Sequence, residues 1–258
     1  MVEVEIDTKI SIEANASRYF EEAKRFKKKA EGALKALSEA KKRIEEEAIT
    51  FQKQKEVESR REKKWYEKFR WFISSEGFLV IGGRDATTND ILIKKHMEKH
   101  DLVFHAEMAG SPFVLIKTEG KTPGELTIAE AAAETASFSR GWRLGLSEME
   151  VFYVTPEQVS LTPKAGEYMG KGSFMIYGKR NVLRAPLRVA VGIYEGAVMC
   201  GPPSAVSKNC PKGILIGPGS EKKTDIAKVI SKELNCKIDD VVRELPSGGF
   251  RIIKDKHN

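Results

Sequence analysis

Between Tyr19 and Phe51, the apolar and small residues Tyr19, Ala23, Phe26, Ala30, Ala33, Leu37, Ala40, Ile44, Ala48 and Phe51 recur at steps of three and four. Lys, Arg and Glu fill most positions between them, so a helix from about Ser11 to Phe51 carries one narrow stripe and needs a second helix to cover it. This is the seam of a coiled coil, and its alanines favour close helix approach. The stripe lapses in QKQKEVESRREKK and resumes at Trp65, Tyr66 and Phe69. A hairpin is therefore expected, with a second helix running from about Lys53 into the following domain. A continuous helix pairing with another chain would account for the same seam. At 1.5 Å per residue, a helix of about 40 residues reaches roughly 60 Å.

Charge divides the chain near residue 70. Up to there, 19 basic and 15 acidic side chains crowd a polar arm, while the remaining residues hold 25 and 22. The net charge of +7 is thus patchy, concentrated from Lys53 to Arg70 and from Lys164 to Arg188. Such a balance admits a polyanionic partner without requiring one. The length of 258 residues suffices for one substantial core or two smaller ones. Cys200, Cys210 and Cys236 form no CxxC pair and leave an odd number, which argues against a disulfide framework or a zinc knuckle. No apolar run is long enough to span a bilayer, and the start MVEVEIDTK is acidic where a secretion signal would be basic. A soluble, cytoplasmic protein with reduced thiols is expected, with no membrane partner.

From Phe69 the pattern shortens into β-rich runs. FRWFIS and FLVIGG read as a hairpin across Ser75-Glu76-Gly77, LVFHAE and FVLIKT as strands around Gly110-Ser111-Pro112, and EVFYVT, FMIYG and LRVAVGIYE as further strands. Helices are expected from Thr88 or Asn89 to Lys99, and from an N-cap at Thr127 to Gly145. GILIGPGS, a helix over Glu221 to Leu234, DDVVREL and FRII form a compact tail. The strands and helices do not alternate as a doubly wound sheet requires. The expected fold is therefore α+β: a helical coiled-coil arm, a mainly antiparallel mixed sheet with helices packed on it, and a small α/β C-terminal extension. The corresponding domains are 1–68, 69–200 and 201–258.

Several motifs carry possible chemistry. Gly82-Gly83-Arg84-Asp85 leaves a strand just ahead of a helix, where free amides and Arg84 would suit a phosphate and Asp85 could orient Arg84 or accept from a ribose hydroxyl. The ordinary reading is a strand exit before a capped helix. His96 and His100 share a helix face, but HMEKH lacks the glutamate of a metalloprotease motif and lysines flank it, so surface histidines are favoured and no metal or cofactor is expected. Strand alternation puts His105 and Glu107 on one face, as a structural pair or a small acid–base site. Gly217-Pro218-Gly219-Ser220 lacks P-loop spacing, and Lys171-Gly172-Ser173-Phe174 lacks the continuation of an RRM strand. Lys179-Arg180-Asn181, with Tyr177 and Arg184 nearby, would suit a phosphate backbone or a solvated turn. No nucleophile–base–orienter set is recognisable, so catalysis is not expected. An alternative reading is a nucleotide-processing or hydrolytic site at Arg84, Asp85, His105 and Glu107, or a coiled-coil scaffold.

KWYEKFRWFISSEGFLVIGGRDATTNDILIKKHM, DLVFHAEMAGSPFVLIK, EAAAETASFSRGW and KGSFMIYGKRNVLRAP, in that order, resemble the RNA-binding (R) domain of the NFACT family, and archaeal-type members are the nearest in character. IEANASRYFEEAKRFKKKAEGALKAL resembles the start of that family's middle coiled coil. The resemblance implies ribosome-associated quality control: recognition of a large subunit obstructed by peptidyl-tRNA, tRNA binding and support of untemplated chain extension. The implied partners are large-subunit rRNA and tRNA, with the nascent chain or ribosomal proteins reached through the coiled coil, which would also allow a homodimer. Family members also carry an NFACT-N domain and a helix-hairpin-helix segment, for which the residues ahead of the seam leave no room. A carboxy-terminal piece or a split relative is thus expected, and the tRNA-recognising chemistry assigned to NFACT-N is not carried over. The RNA contacts implied by the family-like words are Arg84, Asp85, Asn89, His105, Arg140, Trp142, Lys171, Lys179, Arg180 and Asn181. Of these, Trp142 suits a core position more often than a stacking platform.

Overall fold

In the computed structural model, the chain falls into two compact units, residues 1–61 and 62–258. The structure describes residues 4–59, 61–162 and 170–253, with the course of the backbone alone over 46–59. Lys164, one of the cations in the second basic segment, lies outside these residues, as do the side chains of Ala48 and Phe51.

The first unit is dominated by α1 (Ile12–Ser59), a single helix of 48 residues. Its start is fastened by local polar groups. Ser11 Oγ accepts from Ala14 N at 3.1 Å, and Asn15 accepts from Asp7 N at 2.8 Å while its amide donates to Asp7 O at 2.9 Å. The seam is solvent-facing within this chain: Phe26, Leu37 and Ile44 are exposed, and so are Phe20 and Leu34 beside it. The hairpin expected near Lys53 does not form. Loss of the apolar stripe removes a packing face but not helicity, because Gln, Lys and Glu are good helix formers and neither Gly nor Pro interrupts this stretch.

The second unit is α+β. Its elements are β1 (Arg70–Ile73), β2 (Leu79–Gly82), α2 (Ala86–Ile91, running on through one wider turn to His96), β3 (Leu102–His105), β4 (Val114–Lys117), α3 (Glu125–Ser137), α4 (Arg140–Arg143), β5 (Glu148–Val154), β6 (Val159–Ser160), β7 (Met175–Ile176), β8 (Asn181–Pro186), β9 (Val189–Tyr194), β10 (Ala197–Gly201), α5 (Pro203–Asn209), β11 (Gly213–Glu221), α6 (Lys223–Leu234), α7 (Ile238–Glu244) and β12 (Phe250–Ile252). Among the described residues, two main sheets form, ordered β1-β2-β4-β3-β5-β8 and β10-β9-β11-β12, and β6 pairs with β7. Every pairing is antiparallel. The second sheet thus joins strands from both sides of residue 201. The two sheets meet where β1 approaches β10: a Cβ on Gly201 would lie 2.8 Å from that of Phe72.

The alanine run of α3 explains its place. Ala131, Ala132 and Ala136 are fully buried, so this helix lies close on the first sheet against β8, β5, β3 and β4. Three sequence expectations shift here. Gly124, not Thr127, precedes the helix, because Thr127 N and Oγ1 donate instead to Glu76 of the β1–β2 turn. The helix also stops at Phe138 rather than Gly145 and restarts as α4, where Ser139 Oγ accepts from Gly141 N at 3.0 Å. Finally, β8 and β10, to which the sequence reading assigns no element, are full strands. No helix among the described residues is long and apolar enough to cross a membrane. The thiols are free, and burial pushes those of Cys210 and Cys236 up to about 11.

The core holds one unspent acid. Glu134 on α3 is buried and neither carboxyl oxygen has a hydrogen-bond partner; burial pushes its pKa up to about 8, against the opposing pull of Arg70. The folded protein therefore keeps a proton that the unfolded chain loses near 4.5. The contribution of Glu134 to stability should be greatest below that value and fall by a few kcal/mol as pH rises toward about 8. Glu134→Gln should remove most of this slope in urea titrations at pH 5 and pH 8; an unchanged slope would place the charge elsewhere.

Candidate nucleic-acid interface

One cleft of about 570 Å³ gathers most of the chemistry. It lies among the β2–α2 turn, the β3–β4 loop, β5 and the stretch that leads into β7. Two glycines shape it. A Cβ on Gly83 would fall 1.8 Å from Asn89 Oδ1, so only glycine leaves room for that amide, which accepts from Phe113 N at 3.3 Å and ties α2 to the β3–β4 loop. Gly172 has φ +74 and sits so close to Ala86 that a Cβ would lie 2.3 Å from its carbonyl oxygen. This contact seats Lys171 near Asp85.

Of the ten residues expected from sequence, Arg84, Asp85, Asn89, His105, Lys171 and Arg180 line this cleft. Asp85 caps α2, accepting from Thr88 N at 2.8 Å; the amide and hydroxyl of Thr88, with Lys171 nearby, hold its carboxyl below the usual range. His105 Nδ1 lies 3.0 Å from Pro112 O, and since a carbonyl can only accept, Nδ1 carries the proton. In the neutral ring, Nε2 is then the acceptor. Burial, with Arg180 nearby, lowers the pKa of this imidazole despite the Pro112 contact, keeping it neutral at pH 7. Its ring stacks on Phe113 at 4.1 Å, and Phe174 meets Phe113 edge-on at 5.4 Å. Arg180 lies over Phe152 at 4.5 Å and also pairs with Glu107.

The other expected residues sit apart. Lys179 and Asn181 join Arg180 in a shallower neighbouring groove with Tyr153 and Leu183. Gln158 holds the turn ahead of them by donating to Tyr177 O at 2.9 Å and Lys179 O at 2.8 Å. Arg140 is exposed on α4 and lines neither cavity. Trp142 is 1% exposed and its indole donates to Gly249 O at 2.9 Å, so it fills the core and offers no face to a base.

Arg84 requires the main correction. Its guanidinium donates to Lys68 O, Phe69 O and Arg243 O, and to both oxygens of Glu244 at 2.7 and 2.8 Å. With each of its nitrogens engaged and its charge met by Glu244, this guanidinium is a structural clamp. The acid–base grouping of Arg84, Asp85, His105 and Glu107 does not assemble either: His105 and Glu107 both line the cleft, but the first meets Pro112 and the second Arg180. His96, considered for a metal, stacks on Trp65 at 4.6 Å instead. Among the described residues, no cluster of three or more His, Cys, Asp or Glu side chains is placed to hold a metal ion.

Sequence reasoning passed over Arg70, Ser111, Phe152 and Phe174, all of which line the cleft. Arg70 left a signal, since a cation alternating with Phe72 in a buried strand must find something to do. Ser111 lay in a stretch read only as a turn.

Residues 68–178 match the family model described as NFACT protein RNA binding domain. The chain is 41% identical over 216 residues to the archaeal Rqc2 homolog aRqcH of Methanocaldococcus jannaschii, covering 81% of this chain and 32% of that protein. It is 37% identical over 185 residues to the ribosome quality control complex subunit NEMF homolog of Drosophila melanogaster, covering 70% of this chain and 18% of that protein. To the Homo sapiens subunit NEMF it is 36% identical over 175 residues, covering 66% and 16% respectively. The chain thus spans about a third of the archaeal relative and under a fifth of the animal ones.

The clamp makes a prediction that separates structure from binding. Arg84→Ala removes one of the two cations on the buried Glu244, leaving Arg243 Nε at 3.0 Å, and should cost about 2–3 kcal/mol of stability. Lys171→Ala, at an exposed position, should stay within about 0.5 kcal/mol of the parent. Thermal and urea denaturation of both variants check this, and a stable Arg84→Ala protein would return Arg84 to the list of contacts.

Proposed function

The chain belongs to the NFACT family, and on that footing we propose that it is the RNA- and ribosome-binding module of a ribosome-associated quality control factor, acting on stalled large subunits that carry peptidyl-tRNA. The observation that carries this reading is the overlap of two independent features: nearly all of the cleft's lining falls within residues 68–178, the stretch that matches the RNA binding domain. A cleft with aromatic rings in its wall and cations at its mouth suits a sugar-phosphate chain. The animal relatives are named as ribosome quality control complex subunits and the archaeal one as an Rqc2 homolog. The proposed role is therefore recognition in the cytoplasm, with Asp85, Asn89, His105, Lys171 and Arg180 as cleft contacts, Lys179 and Asn181 as contacts in the adjoining groove, and rRNA and tRNA as partners. Arg140 is proposed as an outlying phosphate contact.

In this reading α1, about 72 Å long at 1.5 Å per residue, is a lever whose seam takes a second helix. The second helix comes from another copy of the chain or from a ribosomal protein. Sedimentation equilibrium of the whole chain should show a dimer that Leu37→Glu with Ile44→Glu dissociates; a monomer in the parent would leave the seam to a different protein.

RNA binding should weaken steeply with salt, and each of Lys171→Ala, Lys179→Ala and Arg180→Ala should lower the slope of log affinity against log salt by roughly 1. Filter binding with a structured rRNA or tRNA fragment from 50 mM to 200 mM salt checks this. Binding unaltered in the triple variant would sink the assignment of these cations, and crosslinking to purified large subunits would map the surface actually reached.

A further inference from the structure

Resting on the RNA-binding reading, a finer property follows from two polar atoms that the fold leaves unspent. Arg70 Nη1 and Ser111 Oγ are buried without a hydrogen-bond partner, and both residues line the cleft. Buried polar atoms are almost always partnered, and leaving one bare is costly. Arg70 has its guanidinium 4.1 Å from the ring centre of Phe138. Glu134, the buried acid coupled to Arg70, keeps its proton at neutral pH and hydrogen-bonds to nothing. The guanidinium therefore still has a donor to give. Ser111 is 5% exposed, and its hydroxyl can donate or accept.

The rest of the cleft narrows what could take up these atoms. Its wall is aromatic, with His105 stacked on Phe113 and Phe174 edge-on to the same ring. Its mouth carries Lys171 and Arg180, the latter partly shared with Glu107. At about 570 Å³ it is of a size for one nucleotide and too small for a duplex. An unstacked base brings the three matching features together: a π face for the wall, an edge of acceptors for the interior and a phosphate for the mouth.

We propose that the cleft receives a single unpaired nucleotide of an RNA strand, its base against the partly exposed ring of His105, which Phe113 and Phe174 back from the core, its acceptor edge toward Arg70 and Ser111, and its phosphate at Lys171 and Arg180. The adjacent acceptors O6 and N7 make guanine the base best matched to a guanidinium. Arg70 and Ser111 are then specificity-determining residues, whereas Lys171 and Arg180 hold the backbone of any strand.

The test uses the whole chain with a hairpin RNA carrying one bulged guanosine, the same hairpin with an abasic residue in the bulge, one with a bulged uridine, and guanosine monophosphate alone, all at one salt concentration. The abasic hairpin should bind about tenfold or more weakly than the guanosine hairpin, with uridine between. Ser111→Ala should narrow the guanosine-to-abasic ratio by about threefold or more while leaving abasic binding unchanged. Arg70→Gln should narrow it further, and if that variant does not fold, the RNA series and Ser111→Ala decide alone. Equal affinity for the intact and abasic hairpins overturns the pocket while leaving RNA binding in place. Guanosine monophosphate binding as tightly as the bulged hairpin also overturns it, by making the cleft a free-nucleotide site. Absence of salt-dependent binding to every RNA is a different result, since it removes the RNA reading as a whole.

Discussion

The clamp between Arg84 and Glu244 is the contact on which the architecture of the globular unit turns. Glu244 ends α7 and is 3% exposed, and Arg84 leaves β2 on the way into α2. One guanidinium thus fastens the carboxy-terminal helix to the entry of the first sheet while also satisfying the carbonyls of Lys68 and Phe69. Arg84 Nη2 alone meets both oxygens of Glu244, and such charge-assisted bonds are stronger than neutral ones. With Arg84 held, Gly83 and Asp85 on either side of it take up fixed positions, so Asn89 and the start of α2 become the firm side of the cleft. Arg70 and the protonated Glu134 lie in the same electrostatic neighbourhood, and both are influenced by Arg84 and Glu244. The site is therefore shaped by ionic groups that are largely turned toward one another.

Much of this was legible beforehand, for identifiable reasons. The seam from Tyr19 to Ile44 announces a long helix because the period survives wherever the intervening residues are charged. The α+β class followed from strands and helices that do not alternate, and the antiparallel pairings agree with it. The strand exit at Gly82–Gly83 ahead of a helix is a local signal and is found there, but the helix starts at Ala86 with Asp85 as its cap rather than at Thr88 or Asn89. What local signals cannot carry is partnership over distance. Arg84 looks like a phosphate ligand in the sequence because Glu244 lies 160 residues further on, and Glu107 looks like a partner of His105 because Arg180 is 73 residues away.

The missed strands have a different cause. Neither Asn181–Pro186 nor Ala197–Gly201 alternates as a half-exposed strand should: the first carries Arg184 and a terminal proline, and the second is buried along its whole length. Trp142 shows the converse, an aromatic in a family-like word whose side chain the core had already claimed. Arg70 and Ser111 were overlooked because their interest is an unmet hydrogen bond, and only a folded structure can show that a polar atom lacks one.

The first sheet ends at β8, a strand with Arg184 near its end and Pro186 as its last residue. A neighbouring molecule that tried to extend the ladder there would meet a charged side chain and then a ring with no amide hydrogen to offer. Val182 can remain uncovered on such a margin without inviting fibrous association. This safeguard matters for a protein whose work would concentrate many copies on crowded particles.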